Sequence, residues 1–185
     1  MGQQPAHTSG GPSSGQSATR LTLGIDPGTG IVGYALVAER GSALTLVACD
    51  VITTPAKMPL PQRLQRIYHG LLEIIEEYQP QDVAVEQLFF ARNVTTAMAV
   101  GQARGVVLLA AVNSGLEVSE YTPMQVKQAV HGYGNATKQQ VAEMVRILLG
   151  QPALHKVDDA MDAAAIAICH LHSLPQARLL EGKGR

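Results

Sequence analysis

Apolar residues first recur at strand spacing in Leu21, Leu23 and Ile25, followed by the turn sequence DPGTG and a second apolar run from Ile31 to Ala38. A third run spans Leu44 to Ile52. The short, glycine-bearing connections predict that these three strands form an antiparallel meander. The period then changes. Leu64, Ile67, Leu71, Ile74 and Ile75 fall on one stripe, which predicts a helix with one buried face, ended by Pro80. DVAVEQ (82–87) predicts a short fourth strand. The segment 95–112 is apolar on nearly every side, so it predicts a helix buried on two faces. Gly101 and Gly105 inside it each cost about 1 kcal/mol relative to Ala, a cost that close backbone approach to the sheet or to a second subunit would offset. LEVSEY (116–121) predicts the fifth strand, Thr122 and Pro123 an N-cap and first helical residue, and TKQQ (137–140) a capping box opening a helix that Gly150 closes. DDAMDAAAIAICHLH (158–172) predicts the last helix. This order gives an α/β fold, a mixed five-stranded sheet of a three-strand antiparallel meander plus two parallel strands, flanked by helices.

The 185 residues suit one domain with one core. With no Trp and two Phe, that core is aliphatic and alanine-rich, which favours close packing of helix on sheet. Residues 1–19, rich in Gly, Ser, Pro and Gln, are expected to form a disordered tail. They contain no apolar signal region, and no run of the chain approaches the roughly 18 apolar residues of a membrane span, so a soluble, cytoplasmic protein without membrane association is expected. Cys49 and Cys169 stand alone in apolar runs, which reads as two buried thiols in a reducing compartment and not as nucleophiles or a disulfide. The net charge of -1 does not advertise a nucleic-acid partner. Its distribution does more: from Arg92 to Lys156 there are six basic and three acidic residues, a local excess of three positive charges.

Asp26 ends a strand of apolar residues, and burying an unpaired carboxylate costs several kcal/mol unless it pairs, neutralises or binds a metal. Glu86 ends the fourth strand in the same way, and a right-handed crossover lays that strand parallel to the first with both acids at one sheet edge. Asp159 and Asp162, three apart on the last helix, share a face; Asp158 and Asp162, four apart, do so as well. Taken singly each acid has a plainer role, as an N-cap, a turn former before Pro27 or a strand-end surface charge. Gathered together they repel unless a cation sits among them, and an all-carboxylate set suits Mg²⁺ or Mn²⁺ and not zinc. Two such ions roughly 3.5 to 4 Å apart clamp both oxygens of an in-line phosphoryl displacement, so the predicted reaction is phosphodiester hydrolysis.

The loop LFFARN directly follows Glu86 and holds both phenylalanines of the chain, Phe89 and Phe90. They either plug the core beneath the loop or present a ring to a ligand; Arg92 and Asn93 either reach a phosphate or base edge or lie in solvent. HGYGNA (131–136) is glycine-bearing, consistent with backbone approach to DNA or with a simple turn. His170 and His172 point apart on a helix, which disfavours a shared metal.

LGIDPGTGIVGYALV, VAVEQLFFARN, GQARGVVLLAAVN, QVKQAVHGYGNATKQQVAEMV and DDAMDAAAIAICH occur in this order and together resemble the RuvC family of Holliday-junction resolvases, over nearly everything from Leu21 to about His172. The resemblance implies an RNase H-like nuclease domain at 20–173, between the N-terminal tail and a flexible C-terminal tail at 174–185. It implies a homodimer that makes paired, Mg²⁺-dependent nicks in opposing strands of a four-way DNA junction during recombination and repair, with two ions per site and Mn²⁺ as a substitute. It assigns the acids as Asp26, Glu86, Asp159 and Asp162, although some members of the family place His where Asp159 stands. It matches Phe89 to a ring that stacks on junction bases and Lys127 and Lys138 to phosphate-binding positions, and it implies a branch-migration helicase complex as partner. GIDPGTG alone also resembles the first phosphate loop of actin-like ATPases, but this chain has no room for their second half. The YqgF-like relatives of the same fold usually follow the first Asp with a Lys-Arg pair, absent here. A junction-binding module without catalysis is the remaining alternative, and the presence of all four acids argues against it.

Overall fold

The computed structural model describes residues 19–87, 94–154 and 157–181. Its strands are β1 (Arg20–Asp26), β2 (Ile31–Arg40), β3 (Ala43–Thr53), β4 (Asp82–Glu86) and β5 (Glu117–Tyr121); its helices are α1 (Leu60–Tyr78), α2 (Val94–Asn113), α3 (Pro123–His131), α4 (Lys138–Leu148) and α5 (Asp158–Glu181). They form one sheet in the order β3-β2-β1-β4-β5. The first three strands form an antiparallel meander, β4 joins β1 in parallel and β5 joins β4 in parallel, as the pattern predicts.

Alternation along the strands divides the core into two layers. Leu23 and Ile25 of β1 and Val83 and Val85 of β4 face α1 and α2, where they pack with Ile67, Leu71, Val107 and Ala110. The intervening positions face α5, and there the residues are small: Gly24, Gly33 and Ala84. A β-carbon on Gly24 would collide with the backbone of Ala163 and Ala167, and one on Gly33 with the carbonyl of Asp159. The alanine-rich α5 therefore lies closer to the sheet than any side chain at these positions would permit. On its outer side α5 packs with Val126 and Val130 of α3 and Val141 and Val145 of α4.

Thr122 and Thr137 cap α3 and α4, each in a complete capping box with the Gln three residues later. The box at Thr137 is legible in TKQQ; the one at Thr122 is an additional feature. Helix α5 continues through Glu181, past residue 174, where a C-terminal tail is expected from the sequence. The helix runs through Pro175, a residue that costs about 3 kcal/mol in a helix interior, and into QARLLE (176–181), whose residues are good helix formers. Cys49 and Cys169 are buried and not joined in a disulfide; Cys49 Sγ donates to the Ala160 carbonyl at 3.3 Å, and burial pushes the Cys169 thiol up to about 11. Among the described residues no helix is long and apolar enough to cross a membrane.

Candidate active site

Asp26 is the last residue of β1 and pairs across the ladder with Gly33, the residue that lies beneath Asp159. Glu86 is the last residue of β4, and because Ile25 is level with Val85 in the parallel register, the two acids finish their strands side by side. The close seat of α5 brings its first two turns, with Asp159 and Asp162, over the same edge. All four acids are half-buried.

The electrostatics follow from that gathering. Burial, and then the charges of Glu86, Asp162 and Asp159, push the Asp26 carboxyl from 3.8 up to about 7, against a weaker lowering by Lys138. Burial and Asp162 raise Glu86, with Lys138 and Lys127 pulling the other way. Burial raises Asp162 as well, partly offset by its hydrogen bond with Lys138. Lys138, the first residue of α4, places Nζ 2.9 Å from Asp162 Oδ2 and 3.6 Å from Asp158 Oδ2. A cation at a helix N-terminus opposes the helix dipole; here the acids of α5 compensate it. The hydrogen bond to Asp162 holds the Lys138 ammonium above its usual range. Lys127 joins Lys138, Glu86 and Asp162 around a cleft of about 260 Å³.

The choice between Asp158 and Asp159 left open by spacing alone has a geometric counterpart. Asp159 is half-buried and acts on both Asp26 and Asp162, whereas the Asp158 side chain is 79% exposed and its ion pair is with Lys138. Helix α5 begins at Asp158, so both residues lie within its first turn.

Among the described residues, no three Asp, Glu, His or Cys side chains close into a ready-made cage for one ion. The donor set nevertheless fits a hard divalent cation: four half-buried carboxylates, three of them raised by burial and mutual repulsion, with the Lys138 ammonium as the positive charge beside them. Phe89, Arg92 and Asn93 lie outside the described residues, as do Phe90 and Lys156.

Three features of the site have no local sequence signal. One is the glycine pair Gly24 and Gly33, whose role depends on a helix more than a hundred residues away. Another is a brace on the turn after Asp26: Arg63 Nε donates to Thr54 Oγ1 at 2.8 Å, Thr54 Oγ1 donates to the Thr29 carbonyl, and Thr54 N donates to the Gly30 carbonyl at 2.9 Å. The third is a buried polar group at the opposite end of β4, where Arg20 and Thr22 donate to Asp82 and His170 approaches it.

The family model for crossover junction endodeoxyribonuclease RuvC matches residues 22–170. The chain belongs to the RuvC family. RuvC enzymes of Desulfitobacterium hafniense and Rubrobacter xylanophilus are 59% and 54% identical to it over 154 and 159 residues, covering 83% and 86% of this chain and 93% and 89% of theirs. Among solved structures, Thermus thermophilus RuvC in complex with a Holliday junction substrate superposes with a TM-score of 0.81 at 39% identity, over 85% of this chain and 96% of that one. The yeast mitochondrial resolvase Ydc2 shares the fold at 15% identity, with a TM-score of 0.66 over 89% of this chain and 83% of its own. RuvC nucleases are metal-dependent hydrolases, and the five-stranded mixed sheet found here is theirs.

Proposed function

We propose that this RuvC chain resolves four-way DNA junctions in the cytoplasm by paired phosphodiester hydrolysis, with Asp26, Glu86, Asp159 and Asp162 as the residues that hold two divalent ions, Mg²⁺ in the cell and Mn²⁺ as a substitute. The observation that carries this reading is the gathering of Asp26, Glu86, Asp159 and Asp162 from two strand ends and the first turns of α5 at one sheet edge, beside Lys127 and Lys138. When bound, the ions supply a polarised water and charge stabilisation for an in-line displacement in which one P–O ester bond is exchanged for a bond to the water oxygen. Asp26 and Glu86 stand at adjacent strand ends, so the sheet fixes the backbone positions from which their carboxylates would reach the ions. Asp159 and Asp162 complete the set from the helix above. Lys127 and Lys138 bind the backbone phosphates flanking the scissile one, which leads Lys138 to exchange Asp162 for phosphate when DNA enters. Phe89 stacks on a junction base and Arg92 and Asn93 contact the strand beside it, roles taken from the resemblance and from the position of their loop after Glu86.

A homodimer brings two such sites to two strands related by a dyad. The surface that fits is the outer face of α2. Met98, Gln102, Gly105, Leu109 and Val112 fall on one helical stripe; Met98, Leu109 and Val112 are 64%, 54% and 62% exposed. A β-carbon on Gly105 would meet nothing within 4 Å, so this glycine does not serve the sheet and leaves room for a partner helix. A branch-migration helicase complex that delivers the junction is the partner implied by the family.

The test is cleavage of a synthetic four-way junction with Mg²⁺ and with chelator. Paired nicks in opposing strands that require the metal support the reading; metal-independent cleavage, or no cleavage with junction binding intact, contradicts it.

A further inference from the structure

The stripe of α5 that faces the sheet is made of Ala160, Ala163, Ala164 and Ala167, seated on Gly24 and Gly33. Such a surface is smooth. Sliding α5 by one turn, about 5.4 Å, would replace alanine by alanine over glycine, so this alanine face specifies the axial position less sharply than the bulky Met161, Ile166, Ile168 and Leu171 do on the other faces of the helix. A displacement that small would still carry Asp159 and Asp162 away from Asp26 and Glu86.

Directional contacts oppose the slide: Cys49 Sγ of β3 donates to the Ala160 carbonyl near the start of α5, and a larger polar set gathers on α5 at His170. His170, 3% exposed, is the first polar residue on that stripe after the alanines, and its Nε2 lies 3.3 Å from Oδ1 of Asp82, itself 2% exposed. Nε2 is buried and meets hydrogen-bond geometry with no group among the described residues, so the Asp82 carboxylate at 3.3 Å is the charged group it faces. The opposite ring nitrogen, Nδ1, is 2.9 Å from the Tyr121 hydroxyl of β5. Thr22 and Arg20 of β1 donate to the same Asp82 carboxylate. Two adjacent strands, β4 and β5, thus meet the imidazole on α5, and β1 holds the Asp82 carboxylate behind it. Burial would raise the Asp82 carboxyl, but the hydrogen bonds of His170 and Thr22 and the charges of His170 and Arg20 hold it below its usual value.

The dimensions match. Asp82 and Glu86 are four residues apart on one face of β4, about 13 Å. His170 and Asp162 are eight residues apart on α5, about 12 Å, and α5 runs antiparallel to β4. Securing His170 on Asp82 therefore sets Asp162 over Glu86 at the other end of the same two elements. We propose that the Asp82–His170 pair, backed by Tyr121, Thr22 and Arg20, is a positioning device that fixes the register of α5 on the sheet and so the spacing of the four acids. A buried polar contact is weak evidence for stability, and its best-attested use is specification of register.

The proposal rests on the four acids being the metal-holding set, and the experiment separates the two. His170→Leu, His170→Gln and Tyr121→Phe are made in the full chain beside Asp26→Asn. Each is measured for thermal unfolding, junction binding, single-turnover cleavage at saturating enzyme, and the Mg²⁺ concentration giving half-maximal cleavage. With junction affinity within about twofold, His170→Leu is expected to lower the cleavage rate by roughly tenfold to a hundredfold, the scale of a misplacement near 1 Å, and to raise the half-maximal Mg²⁺ concentration. His170→Gln, which can donate to Asp82, recovers part of both, and Tyr121→Phe shifts both in the same direction by less. If folded His170→Leu cleaves like wild type at the wild-type Mg²⁺ requirement, the positioning role is overturned. Should His170→Leu not fold, an unchanged rate and Mg²⁺ requirement in Tyr121→Phe overturn it equally. Wild-type cleavage by Asp26→Asn overturns the site assignment instead.

Discussion

The carbonyl of Asp159 occupies the space that a β-carbon on Gly33 would need. Because Gly33 is the ladder partner of Asp26, this single close approach ties the first turn of α5 to the end of β1 and places acids from both on one edge.

Gly33→Ala is therefore expected to push α5 outward against backbone, costing about 1–3 kcal/mol or more in stability, the range for overpacked cores. Cleavage by the surviving folded fraction is expected to fall more than its junction affinity. Thermal unfolding and single-turnover cleavage check this, and a variant of wild-type stability and rate would mean that α5 does not depend on the glycine.

Gly105→Ala offers the opposite case. Its added methyl meets open space in the monomer, and an exposed helical Gly→Ala change is worth up to about 1 kcal/mol of helix propensity. Any loss it causes must arise at a partner surface. Sedimentation is expected to show weaker self-association for this variant and a monomer for Leu109→Glu, with the two nicks of the monomer no longer paired in time. A dimer that survives Leu109→Glu would place the interface elsewhere.

The pH dependence of the metal-free protein follows from Asp26. Its carboxyl rises from 3.8 to about 7 on folding, so between those values the folded chain holds a proton that the unfolded chain has released. Stability then falls as pH rises through that window, by an amount on the order of a few kcal/mol, and the raised Glu86 and Asp162 act in the same direction. Asp82 has the opposite sign, but its depressed carboxyl contributes stability above the ordinary Asp value and loses it only at more acid pH. Chemical denaturation at a series of pH values is expected to show the decline, Asp26→Asn to flatten it, and divalent metal to reverse it. Metal-free stability that rises from pH 4 to 7 would contradict the coupling of the acids.

Lys138 and Lys127 contribute through phosphate. Replacing either by Ala is expected to reduce the slope of log affinity against log salt by about 0.9 for each phosphate left without its lysine, with Lys138→Ala also freeing Asp162 from its ion pair. Unchanged salt slopes in both variants would remove them from the DNA surface.

The strand order, the helix pattern and the pairing of Asp26 with Glu86 were legible because each depends on local periodicity and short-range chain rules. Thr137 announced its capping box within four residues. The approach of α5 to the sheet was not legible, since Gly24 and Gly33 read only as members of the first two strands until Ala163, Ala167 and Asp159 are laid against them. Asp82 read as an ordinary strand residue and His170 as a lone histidine for the same reason: their contact joins positions 88 apart along the chain, and no spacing rule connects them.

The most direct test of the account is Asp26→Asn on a synthetic four-way junction with Mg²⁺. Junction affinity is expected to stay within about twofold while nicking drops by roughly a thousandfold or more, the several kcal/mol that metal-assisted displacement supplies. Nicking at the wild-type rate would contradict it.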